Sequence, residues 1–476
     1  MRTSSEYLEK LASMRKNLYL DGELIGRDHP KVLHASGAIQ LTFDLVSDER
    51  FTDLLTATSH LTGKKINRFT HIHQNKEDLF AKQEVTRKLC GLSGSCVQRC
   101  MGCDVMNALS VATKNADLKY STDYHQRWLK FLHYFQENDL VAACAQTDPK
   151  GDRSKRPAEQ PDPDQYVHVV ERRPDGVIVR GAKLHNTMAP YADEIIVVPT
   201  RALAKNEKDY AIAFAIPADT EGIYLIGRQA FFLPREENLT APIAKYGDIE
   251  SFTVFDNVFI PNERIFINGE TEFAGEAALL FALFHRHSYC GCKPGLGDVL
   301  MGAVSLIADY LGVAQKEHIR GKQAELVSVA ELVFAAGIAA AVKSFRAPSG
   351  TQIPNIVFAN VGRRHAGHNI YHEYSILCDI SGGIPATLPL SSEYNSPVVG
   401  DFVRKYVSRR QGVSAENHYR AAHLLADLLS SEVTAALQVA GVHGGGSPIM
   451  EDIAIMSSYD INTKKDLAKY LAGIKE

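Results

Sequence analysis

The sequence predicts an α+β protein in which a helical segment, a β-rich segment and a second helical segment follow one another. Two observations predict this order: apolar residues recur at helical spacing at both ends of the chain, and short β-branched runs separated by turn residues fill its middle. With 476 residues the chain is long enough for about three domains. We predict a helical domain over 1–145, a β-barrel domain over 146–270 and a helical bundle over 271–476.

The first domain is predicted to be helical from its start. Thr3 and Glu6 have the spacing of a helix capping box. Residues 125–145 carry apolar residues at helical spacing and predict one long helix. Residues 147–165 are rich in Pro, Asp and Gly, which predicts a long loop between the first and second domains.

Short strands are predicted to form the middle of the chain. The runs are separated by turn residues, as in a compact antiparallel β domain or barrel. They lie at 176–181, 194–200, 210–218, 222–228 and 251–261.

Helical periodicity returns after about residue 270. One apolar stripe is formed by Leu300, Val304, Ile307 and Leu311, and residues 418–441 predict a long amphipathic helix. Residues 333–342 predict a buried helical segment. No apolar stretch approaches the roughly 20 residues that span a bilayer, so we predict no membrane partner.

The bulk composition narrows the functional classes. The net charge is −4, so we predict no nucleic-acid partner. The first residues carry charges throughout and have no apolar core of a signal peptide, which predicts a cytoplasmic protein. In that compartment the eight cysteines indicate thiols or metal ligands rather than disulfides.

Two cysteine-containing segments, almost two hundred residues apart, are candidate parts of one metal site. Cys96 and Cys100 are four residues apart, which on a helix places both thiols on one side, and Cys103 could be a third ligand. The alternative is that these are buried cysteines that act as small apolar residues.

The second segment, "HRHSYCGCKPG", is predicted to be a tight, non-helical stretch because of its Gly and Pro content. Such a stretch could wrap ligands around a metal, and the alternative is a surface loop with chance histidines. Three thiolates and one imidazole are enough to hold an iron–sulfur cluster or a zinc ion. The candidate ligands are Cys96, Cys100, His285 and Cys292, and the second segment also contains His287, Tyr289, Cys290 and Lys293.

Polar loops around the first predicted strand could contact a flavin ring, which needs hydrogen-bond donors and acceptors. The alternative is solvated turns. The loop residues are Thr147, Asp148, Lys150, Asp152, Lys183, His185, Asn186 and Thr187.

Three further segments are candidate cofactor contacts. The turn Ser381, Gly382 and Gly383 could expose backbone amides to a pyrophosphate, although an ordinary turn explains it equally. Residues 442–448 contain three glycines, which either let a backbone approach a ligand or form a flexible loop. The polar face of a predicted helix carries His365, His368 and His372.

Taken together, these motifs resemble the 4-hydroxybutyryl-CoA dehydratase family, the iron–sulfur flavoenzyme branch of the 4-hydroxyphenylacetate 3-hydroxylase (HpaB) superfamily. The resemblance covers nearly the whole chain and includes "TDPKGDR", "VFDNVFIPNERIF", "HRHSYCGCKPGLGD" and "HGGGSP". It implies an acyl-CoA dehydrogenase-like fold in which a helical N-terminal domain, a β barrel and a C-terminal helical bundle assemble into a homotetramer. It also implies one [4Fe-4S] cluster and one FAD per chain.

The resemblance implies roles for individual residues. The family's cluster ligands fall on Cys96, Cys100, His285 and Cys292, and its active-site tyrosine, lysine and glutamate fall on Tyr289, Lys293 and Glu250. His285 is in addition a candidate base. The implied reaction is dehydration of 4-hydroxybutyryl-CoA to crotonyl-CoA by a flavin-semiquinone and ketyl-radical route, with isomerisation of vinylacetyl-CoA to crotonyl-CoA.

The chain departs from the family pattern at a position that bears on its substrate. The family has a glutamate three residues before the histidine of the glycine-rich segment, and Ala440 stands there in this chain. Cys290 and Cys103 are also departures. A different acyl-CoA substrate, or isomerisation alone, is therefore an alternative. The sequence also leaves open a flavin-dependent aromatic monooxygenase, a plain acyl-CoA dehydrogenase and a non-catalytic zinc protein with a Cys3His site.

Overall fold

The computed structural model describes residues 1–229 and 245–475, and helices form both ends of the chain. The helices before the main sheets are α1 (Ser4–Ser13), α2 (Pro30–Ala35), α3 (Gly37–Asp44), α4 (Thr52–Leu55), α5 (Lys76–Ser93), α6 (Cys100–Tyr120) and α7 (Tyr124–Glu137). Those after the sheets are α8 (Thr271–Tyr310), α9 (Glu317–Val342), α10 (Ile356–Ser381), α11 (Ile384–Thr387), α12 (Ser391–Tyr394), α13 (Gly400–Val407), α14 (Ala415–Ser430), α15 (Glu432–His443), α16 (Ile449–Ser458) and α17 (Asn462–Leu471). The predicted order of helical, β and helical segments is confirmed.

Two large sheets occupy the middle of the chain. One has the strand order β2-β1-β10-β11-β7-β6 and the other β12-β9-β8-β5, while β3 pairs with β4 and β13 with β14. The strands are β1 (Leu18–Leu20), β2 (Glu23–Ile25), β3 (Thr56–Thr58), β4 (Lys65–Asn67), β5 (Ala142–Ala145), β6 (His168–Arg173), β7 (Gly176–Thr187), β8 (Glu194–Val197), β9 (Ile212–Pro217), β10 (Ile223–Gln229), β11 (Ile249–Pro261), β12 (Ile265–Asn268), β13 (Phe345–Arg346) and β14 (Gln352–Ile353).

The sheets pack face to face, and over residues 1–229 and 245–475 they do not close into the barrel that we predicted. Val179 of the larger sheet shares a buried core with Ile195 and Phe214 of the smaller one. Ile196 points the opposite way, into a second core formed with α6, α7 and the start of α8. The alternation of side chains predicts strands, but it does not specify which strands pair, and β1 pairs in parallel with the distant β10.

The N-terminal segment confirms one local prediction and corrects another. The capping box is present: the backbone N–H of Thr3 donates to Glu6 Oε2 at 2.8 Å, and the Glu6 N–H donates to Thr3 Oγ1 at 3.2 Å. The single helix predicted over 125–145 is wrong, because α7 ends at Glu137 and the chain turns at Asp139, where φ is +47°. Residues 142–145 form β5, whose small apolar side chains are buried in the sheet.

Helix α8 corrects the prediction of a non-helical second metal segment. It is 40 residues long, about 60 Å, and runs through Pro294 without interruption. Proline has no N–H to offer the carbonyl oxygen of Cys290, one turn earlier. Gln83 Nε2 of α5 donates to that oxygen instead, at 3.3 Å. The helix continues because a neighbouring helix supplies the hydrogen bond that the proline removes.

The glycines of this segment serve helix packing rather than a turn. Gly291 and Gly295 face α5, where a Cβ atom on either would overlap the backbone carbonyl of Gln83 or of Arg87. The missing side chains let the two helix backbones lie in direct contact. The crossing of α5 and α8 is therefore close and fixed.

The C-terminal bundle is built on α8, α9 and α10. Leu300, Val304 and Ile307 of the predicted stripe are buried there. The single helix predicted over 418–441 is wrong, because the chain breaks between α14 and α15. The Ser431 hydroxyl at the break accepts the backbone N–H of Thr434 at 3.2 Å and caps α15.

Two helices, α8 and α9, are long and apolar enough to cross a membrane by length and composition, and the bent pair Ala415–Ser430 and Thr434–His443 would make a third span. The prediction that no apolar stretch has this length is therefore wrong. In the fold, 61% of the most apolar window of α8 and 39% of that of α9 are buried. The burial predicted for 333–342 is only partial. Exposed apolar side chains on α9 are Val327, Leu332, Ile338 and Val342.

Candidate active site

Four thiols meet where α5, α6 and α8 converge. Cys90 lies in the last turn of α5, Cys96 in the loop that follows, Cys100 at the start of α6 and Cys292 in the middle of α8. Cys90, Cys100 and Cys292 belong to one cluster of buried residues, and the thiol of Cys96 interacts with those of Cys100 and Cys90. We call these four residues the thiol cluster. The fold thus brings the three predicted thiols together and adds Cys90.

Cys96 does not share a helix with Cys100, so the predicted helical placement of the pair is wrong. Gly94 ends α5 with φ = +63°, and Gln98, with φ = +61°, turns the chain before α6 begins. Hydrogen bonds from Cys100 and Cys90, together with one from the Gln98 backbone N–H, lower the pKa of Cys96 well below its usual value, although burial opposes this. A thiolate is the form of cysteine that binds metals.

His285 of α8 faces this cluster and is held by a buried carboxylate. Ligand atoms of Cys100, Asp104 and His285 all lie within 4.8 Å of one another. His285 Nδ1 lies 3.1 Å from Asp104 Oδ2. The other carboxylate oxygen accepts from Lys82 Nζ and Ser288 Oγ, each at 2.9 Å. When Nδ1–H donates to a carboxylate, the imidazole presents Nε2 to a metal.

The charge of Asp104 is maintained by its partners. Burial acts to raise the pKa of Asp104, but the Lys82 ammonium and the bonds to His285 outweigh it and hold the pKa below its usual range. Sequence reasoning missed Asp104. Its position four residues after Cys100, one helical turn along α6, was the available signal.

The donor set fits a metal centre bound by sulfur and nitrogen. Every cysteine of the chain is free of disulfide bonds. Soft thiolates combined with an imidazole suit zinc or an iron–sulfur cluster. Cys100 and His285 lie within reach of one metal ion, and Cys96 and Cys292 lie in the same buried region.

Three other candidates of the same segments point elsewhere. The Cys103 sulfur contacts the backbone carbonyl of His71 at 3.4 Å, and the Cys290 sulfur contacts that of Ala359 at 3.7 Å. Burial raises the pKa of Cys290 to about 12 and lowers that of His287 to about 4. His287 Nε2 is bonded to a backbone carbonyl of α9 at 3.2 Å. These side chains pack helices together, outside the thiol cluster.

Glu250 lies at the start of β11. One oxygen of its carboxyl group accepts a hydrogen bond and the other has no hydrogen-bond partner. Thr187 Oγ1 donates to Oε1 at 2.7 Å, whereas Oε2 is buried without a hydrogen-bond partner. Burial, with a contribution from the nearby carboxylate of Asp248 and from Cys96, raises the pKa of Glu250 to about 8. The group therefore titrates near neutral pH.

Asp248 is a second carboxyl group beside the first, and sequence reasoning missed it. Its Oδ1 accepts from Gln98 Nε2 at 2.7 Å and from the Tyr191 hydroxyl at 2.9 Å. Burial raises its pKa to about 6. Because the backbone of Gln98 also bonds Cys96, the two carboxyl groups adjoin the thiol cluster. The only sequence signal was the spacing of two from Glu250 in an extended segment.

Tyr289 and Lys293 lie near the cluster, but their polar groups have partners. The Tyr289 hydroxyl donates to the carbonyl of Gly441 at 2.9 Å, and the guanidinium of Arg363 lies 4.2 Å from its ring centre. Lys293 Nζ forms a buried ion pair with Glu373 Oε2 at 2.5 Å. Both residues thus tie α8 to its neighbours in the bundle.

The glycine-rich loop of residues 444–446 covers His285. Arg286 Nε donates to the carbonyl of Gly445 at 3.0 Å, and Arg363 Nε donates to that of Gly444 at 2.9 Å. A Cβ on Gly445 would lie 3.6 Å from His285 Cδ2, so the backbone of Gly445 lies close to the imidazole ring. The loop is fixed by two arginines rather than free. Ala440, in the preceding helix, is exposed in the single chain.

The predicted flavin residues fall into two groups. Lys183, His185, Asn186 and Thr187 lie in strand β7, so the prediction that they form a loop is wrong. Lys183 Nζ donates to Asp148 Oδ1 at 2.6 Å and to the carbonyl of Gln146 at 2.8 Å, and so joins β7 to the loop of Asp148. Asn186 Nδ2 donates to Thr253 Oγ1 at 2.7 Å, while Asn186 Oδ1 is buried without a partner.

The other predicted flavin residues form hydrogen bonds within their own segments or lie near the surface. The carbonyl of Thr147 accepts the Leu184 N–H at 2.9 Å, and Asp152 Oδ1 accepts the Ser154 N–H at 3.0 Å in an exposed turn. Burial, then the charges of Lys150 and His443, lowers the pKa of His185. The end of β7, where His185 lies, thus faces the end of α15.

The predicted pyrophosphate turn is remote from the thiol cluster within one chain. Ser381 ends α10, and Gly382 follows with φ = +67°. Eighteen helical residues, about 27 Å, separate Ser381 from Arg363, which holds the glycine loop. The predicted polar face of α10 is present, and His372 Nε2 lies 2.8 Å from Glu325 Oε2.

Comparisons of sequence match both halves of the chain to one enzyme family. The model for the N-terminal part of 4-hydroxyphenylacetate 3-hydroxylase matches residues 3–267, and that for its C-terminal part matches residues 274–473. The 4-hydroxybutyryl-CoA dehydratase/vinylacetyl-CoA-Delta-isomerase of Clostridium aminobutyricum is 37% identical over 489 aligned positions, which cover 100% of each chain. The 4-hydroxyphenylacetate 3-monooxygenase oxygenase component of Thermus thermophilus is 28% identical over 88% of this chain and 86% of its own.

Solved structures share the fold. An oxygen-tolerant archaeal 4-hydroxybutyryl-CoA dehydratase from N. maritimus matches with a TM-score of 0.96 and 39% identity, covering 100% of this chain and 95% of its own. The oxygenase component (HpaB) of 4-hydroxyphenylacetate 3-monooxygenase complexed with FAD matches with a TM-score of 0.89 at 24% identity over 99% and 98% of the two chains. Glutaryl-coenzyme A dehydrogenase matches with a TM-score of 0.51 at 13% identity over 86% and 82%.

The last two similarities concern the fold alone, and they confirm that it is acyl-CoA dehydrogenase-like. The full-length identity of 37% to the dehydratase/isomerase goes further, because it extends through every segment that builds the thiol cluster. The chain is therefore an enzyme that belongs to the 4-hydroxybutyryl-CoA dehydratase/vinylacetyl-CoA isomerase branch of the 4-hydroxyphenylacetate 3-hydroxylase family.

Proposed function

We propose that the chain is a [4Fe-4S]- and FAD-dependent dehydratase of a hydroxyacyl-CoA, of the type that converts 4-hydroxybutyryl-CoA to crotonyl-CoA, with vinylacetyl-CoA isomerase activity. One observation carries this proposal: an imidazole held by Asp104 faces a cluster of thiols, and the buried carboxyl of Glu250 lies beside it with an unpartnered oxygen. When bound, the cluster would supply a Lewis acid and the flavin would exchange single electrons.

Four residues would hold the cluster, namely Cys96, Cys100, Cys292 and His285 through Nε2. Asp104 fixes the imidazole in the tautomer that leaves this nitrogen free. The glycine loop lies against the edge of the ring, where a side chain at residue 445 would come into contact with it. The protein therefore supplies the orientation of the ligands.

Glu250 would move the substrate protons. A carboxyl group with a pKa of about 8 holds a proton at neutral pH and releases it without a large cost, so it can give and take protons within one turnover. Thr187 keeps Oε1 in place and leaves Oε2 for the substrate. His285 would act as a base only when its Nε2 is not bound to metal.

Tyr289 and Lys293 would act mainly by positioning. Their bonds to the carbonyl of Gly441 and to Glu373 hold the metal-bearing part of α8 against the bundle. Any contact with the substrate hydroxyl would require these bonds to be shared.

FAD would bind along the end of β7 and the neighbouring loop of Asp148. The unpartnered buried Oδ1 of Asn186 and the paired side chains of Asp148 and Lys183 are polar groups of the kind that a flavin ring requires. The remaining proposed contacts are Thr147, Lys150, Asp152, His185, Thr187, Ser381, Gly382 and Gly383. A related oxygenase structure contains FAD, which supports the proposal for this chain.

A narrower reaction is a second candidate, and Ala440 is the observation that favours it. An alanine can neither transfer a proton nor hold a hydroxyl group, so the chain lacks the second carboxylate of the family pattern. Isomerisation needs only proton movement, and Glu250 could provide it. The chain would then act on a different acyl-CoA or catalyse isomerisation alone.

Assembly into a homotetramer is part of the proposal. The C-terminal helices expose many large apolar side chains, among them Leu390, Val398, Phe402, Tyr406, Ile453, Met456, Tyr470 and Leu471. Apolar surface on this scale is typical of protein–protein contacts. Native mass spectrometry tests it, and a species of four chains is the expected result.

The deciding experiment is anaerobic purification followed by quantification of iron, sulfide, zinc and flavin in one sample, with assays on 4-hydroxybutyryl-CoA and vinylacetyl-CoA. We expect about four irons and one FAD per chain, with crotonyl-CoA as product. Flavin without iron would favour a monooxygenase or dehydrogenase, and zinc without flavin would leave a structural Cys3His site. Turnover of vinylacetyl-CoA alone would identify the isomerase.

A further inference from the structure

Cys90 is the one thiol of the cluster that the family resemblance leaves without a role. It is fully buried, in one cluster of buried residues with Cys100 and Cys292. Like other buried cysteines it packs against apolar side chains, among them Val85 and Leu89. Its thiol also interacts with two candidate ligands, Cys292 and Cys96.

The position of Cys90 is fixed by the crossing of α5 and α8. Gly91, the next residue, lies against Gly295, whose carbonyl oxygen would be 3.5 Å from a Cβ at residue 91. Gly291, beside Cys292, faces the backbone of Gln83 without an intervening side chain. Because the two backbones are in direct contact, the backbone positions of Cys90 and Cys292 are fixed relative to each other, and both side chains enter the same buried cluster.

We propose that Cys90 is a further ligand thiol of the same centre, so that this chain can hold its metal with four cysteines when His285 is not coordinated. The inference rests on the proposed function, because it assumes a metal at the cluster. In that state Cys90 would supply a thiolate sulfur in place of the His285 nitrogen, and the freed imidazole would accept the proton of the Cys90 thiol. The four donors are then Cys90, Cys96, Cys100 and Cys292.

The test measures metal retention in variants that remove the imidazole, the extra thiol or both. His285→Ala, Cys90→Ser and the double variant are purified anaerobically as full chains and reconstituted with iron and sulfide. We expect each single variant to keep most of the wild-type iron and sulfide, because four donors remain in each. The double variant has three donors, and we expect it to hold about tenfold less.

A matched control uses Cys290, a buried cysteine two residues from Cys292 whose sulfur faces Ala359. His285→Ala/Cys290→Ser should keep as much iron as His285→Ala. The proposal is wrong if His285→Ala alone loses its iron as completely as the double variant, or if the double variant keeps it. His285→Asn, which preserves a donor toward Asp104, replaces His285→Ala if that protein does not fold.

Failure of the proposed function is distinguishable from failure of this inference. If the wild-type chain contains zinc and neither iron nor sulfide, the dehydratase proposal fails. The same variants then report on Cys90 through their zinc content, with the same expected order. Equal zinc in His285→Ala and in the double variant would overturn the role of Cys90.

Discussion

The two sides of the candidate site differ in how completely their polar groups are paired. On the helical side, both carboxylate oxygens of Asp104 are bonded, one to Lys82 and one to His285. On the sheet side, Glu250 Oε2 and Asn186 Oδ1 are buried without a hydrogen-bond partner. The same active site therefore combines a completed network with an incomplete one.

This difference indicates two kinds of ligand. A buried polar atom without a partner costs about 1–3 kcal/mol, and such atoms persist where a ligand completes them. A completed network, in contrast, is suited to a group that stays in place. We read the helical side as the seat of a resident metal, and the sheet side as the surface that meets flavin and substrate.

We expect the largest effect from substitutions that remove metal ligands on the helical side. Cys96→Ala/Cys100→Ala leaves only Cys90, Cys292 and His285 as possible metal donors. We therefore expect iron, sulfide and turnover to be lost together. Quantification of iron and sulfide checks this. Cys103→Ala/Cys290→Ala is the matched control, because both thiols face backbone carbonyls outside the cluster. Iron retained in the first double variant would contradict the metal assignment.

The next effect would separate the two sides. Glu250→Gln removes the titrating carboxyl of the sheet side and leaves the thiols unchanged, so both cofactors should stay bound while turnover falls by about 10²–10⁴-fold. Rates of crotonyl-CoA formation measure it. Glu276→Gln, a half-buried glutamate bonded to Asn115, is the control and should turn over normally. Near-normal turnover of Glu250→Gln would remove Glu250 from the mechanism.

Asp104→Asn tests whether the completed network orients the metal ligand. The amide loses the charge that holds the His285 imidazole and the Lys82 ammonium, so we expect metal affinity to fall by about 10–100-fold. Competition with a chelator measures the affinity. Asp139→Asn breaks a different buried ion pair, with Arg99, and should lower Tm without changing metal affinity. Equal metal affinity in both variants would mean that Asp104 does not orient the metal ligand His285.

A smaller effect concerns the missing carboxylate. If its absence limits dehydration, Ala440→Glu should raise the rate on 4-hydroxybutyryl-CoA by about tenfold, below the usual range for acid–base catalysis because the site is not built around the new group. The ratio of dehydration to isomerisation measures this directly. An unchanged ratio would indicate that the pocket serves another acyl-CoA. Ala440→Gln controls for size.

The smallest effect is a pH dependence of stability. The pKa of Glu250 is raised from 4.5 to about 8, so between these values the folded chain binds more protons than the unfolded chain. The contribution of Glu250 to the free energy of unfolding is fully present below about pH 4.5 and is lost as the pH rises to about 8. We expect Tm to fall more steeply over this range in the wild-type chain than in Glu250→Gln. Parallel pH profiles would mean that Glu250 is not perturbed.

Sequence reasoning found the separate parts of the site better than their arrangement. Motifs pointed to Cys96, Cys100, His285 and Cys292, because a family pattern fixes each position on its own. The motifs could not reveal Cys90, since the proximity of Cys90 to Cys292 depends on how α5 crosses α8. Asp104 and Asp248 escaped for the same reason: each is recognisable only by what the fold places beside it.

The fold shows the same limit. Periodicity predicted the strands and the two helical segments, which depend on local pattern. It failed at Pro294, where the hydrogen bond from Gln83 to the Cys290 carbonyl overrides a local helix breaker. It also predicted a closed barrel where the strands described over 1–229 and 245–475 form two packed sheets, because local pattern does not specify pairings such as that of β1 with β10, which joins residues about two hundred positions apart.

The separation of the thiol-bearing segments along the chain also sets the order of events during biosynthesis. Cys90, Cys96 and Cys100 leave the ribosome before His285 and Cys292, and strands β5 to β12 are made in between. The early thiols are therefore without their later partners while almost two hundred residues are added. Docking of α8 onto α5 brings the two halves of the site together, so delivery of the proposed metal would have to follow the synthesis of α8.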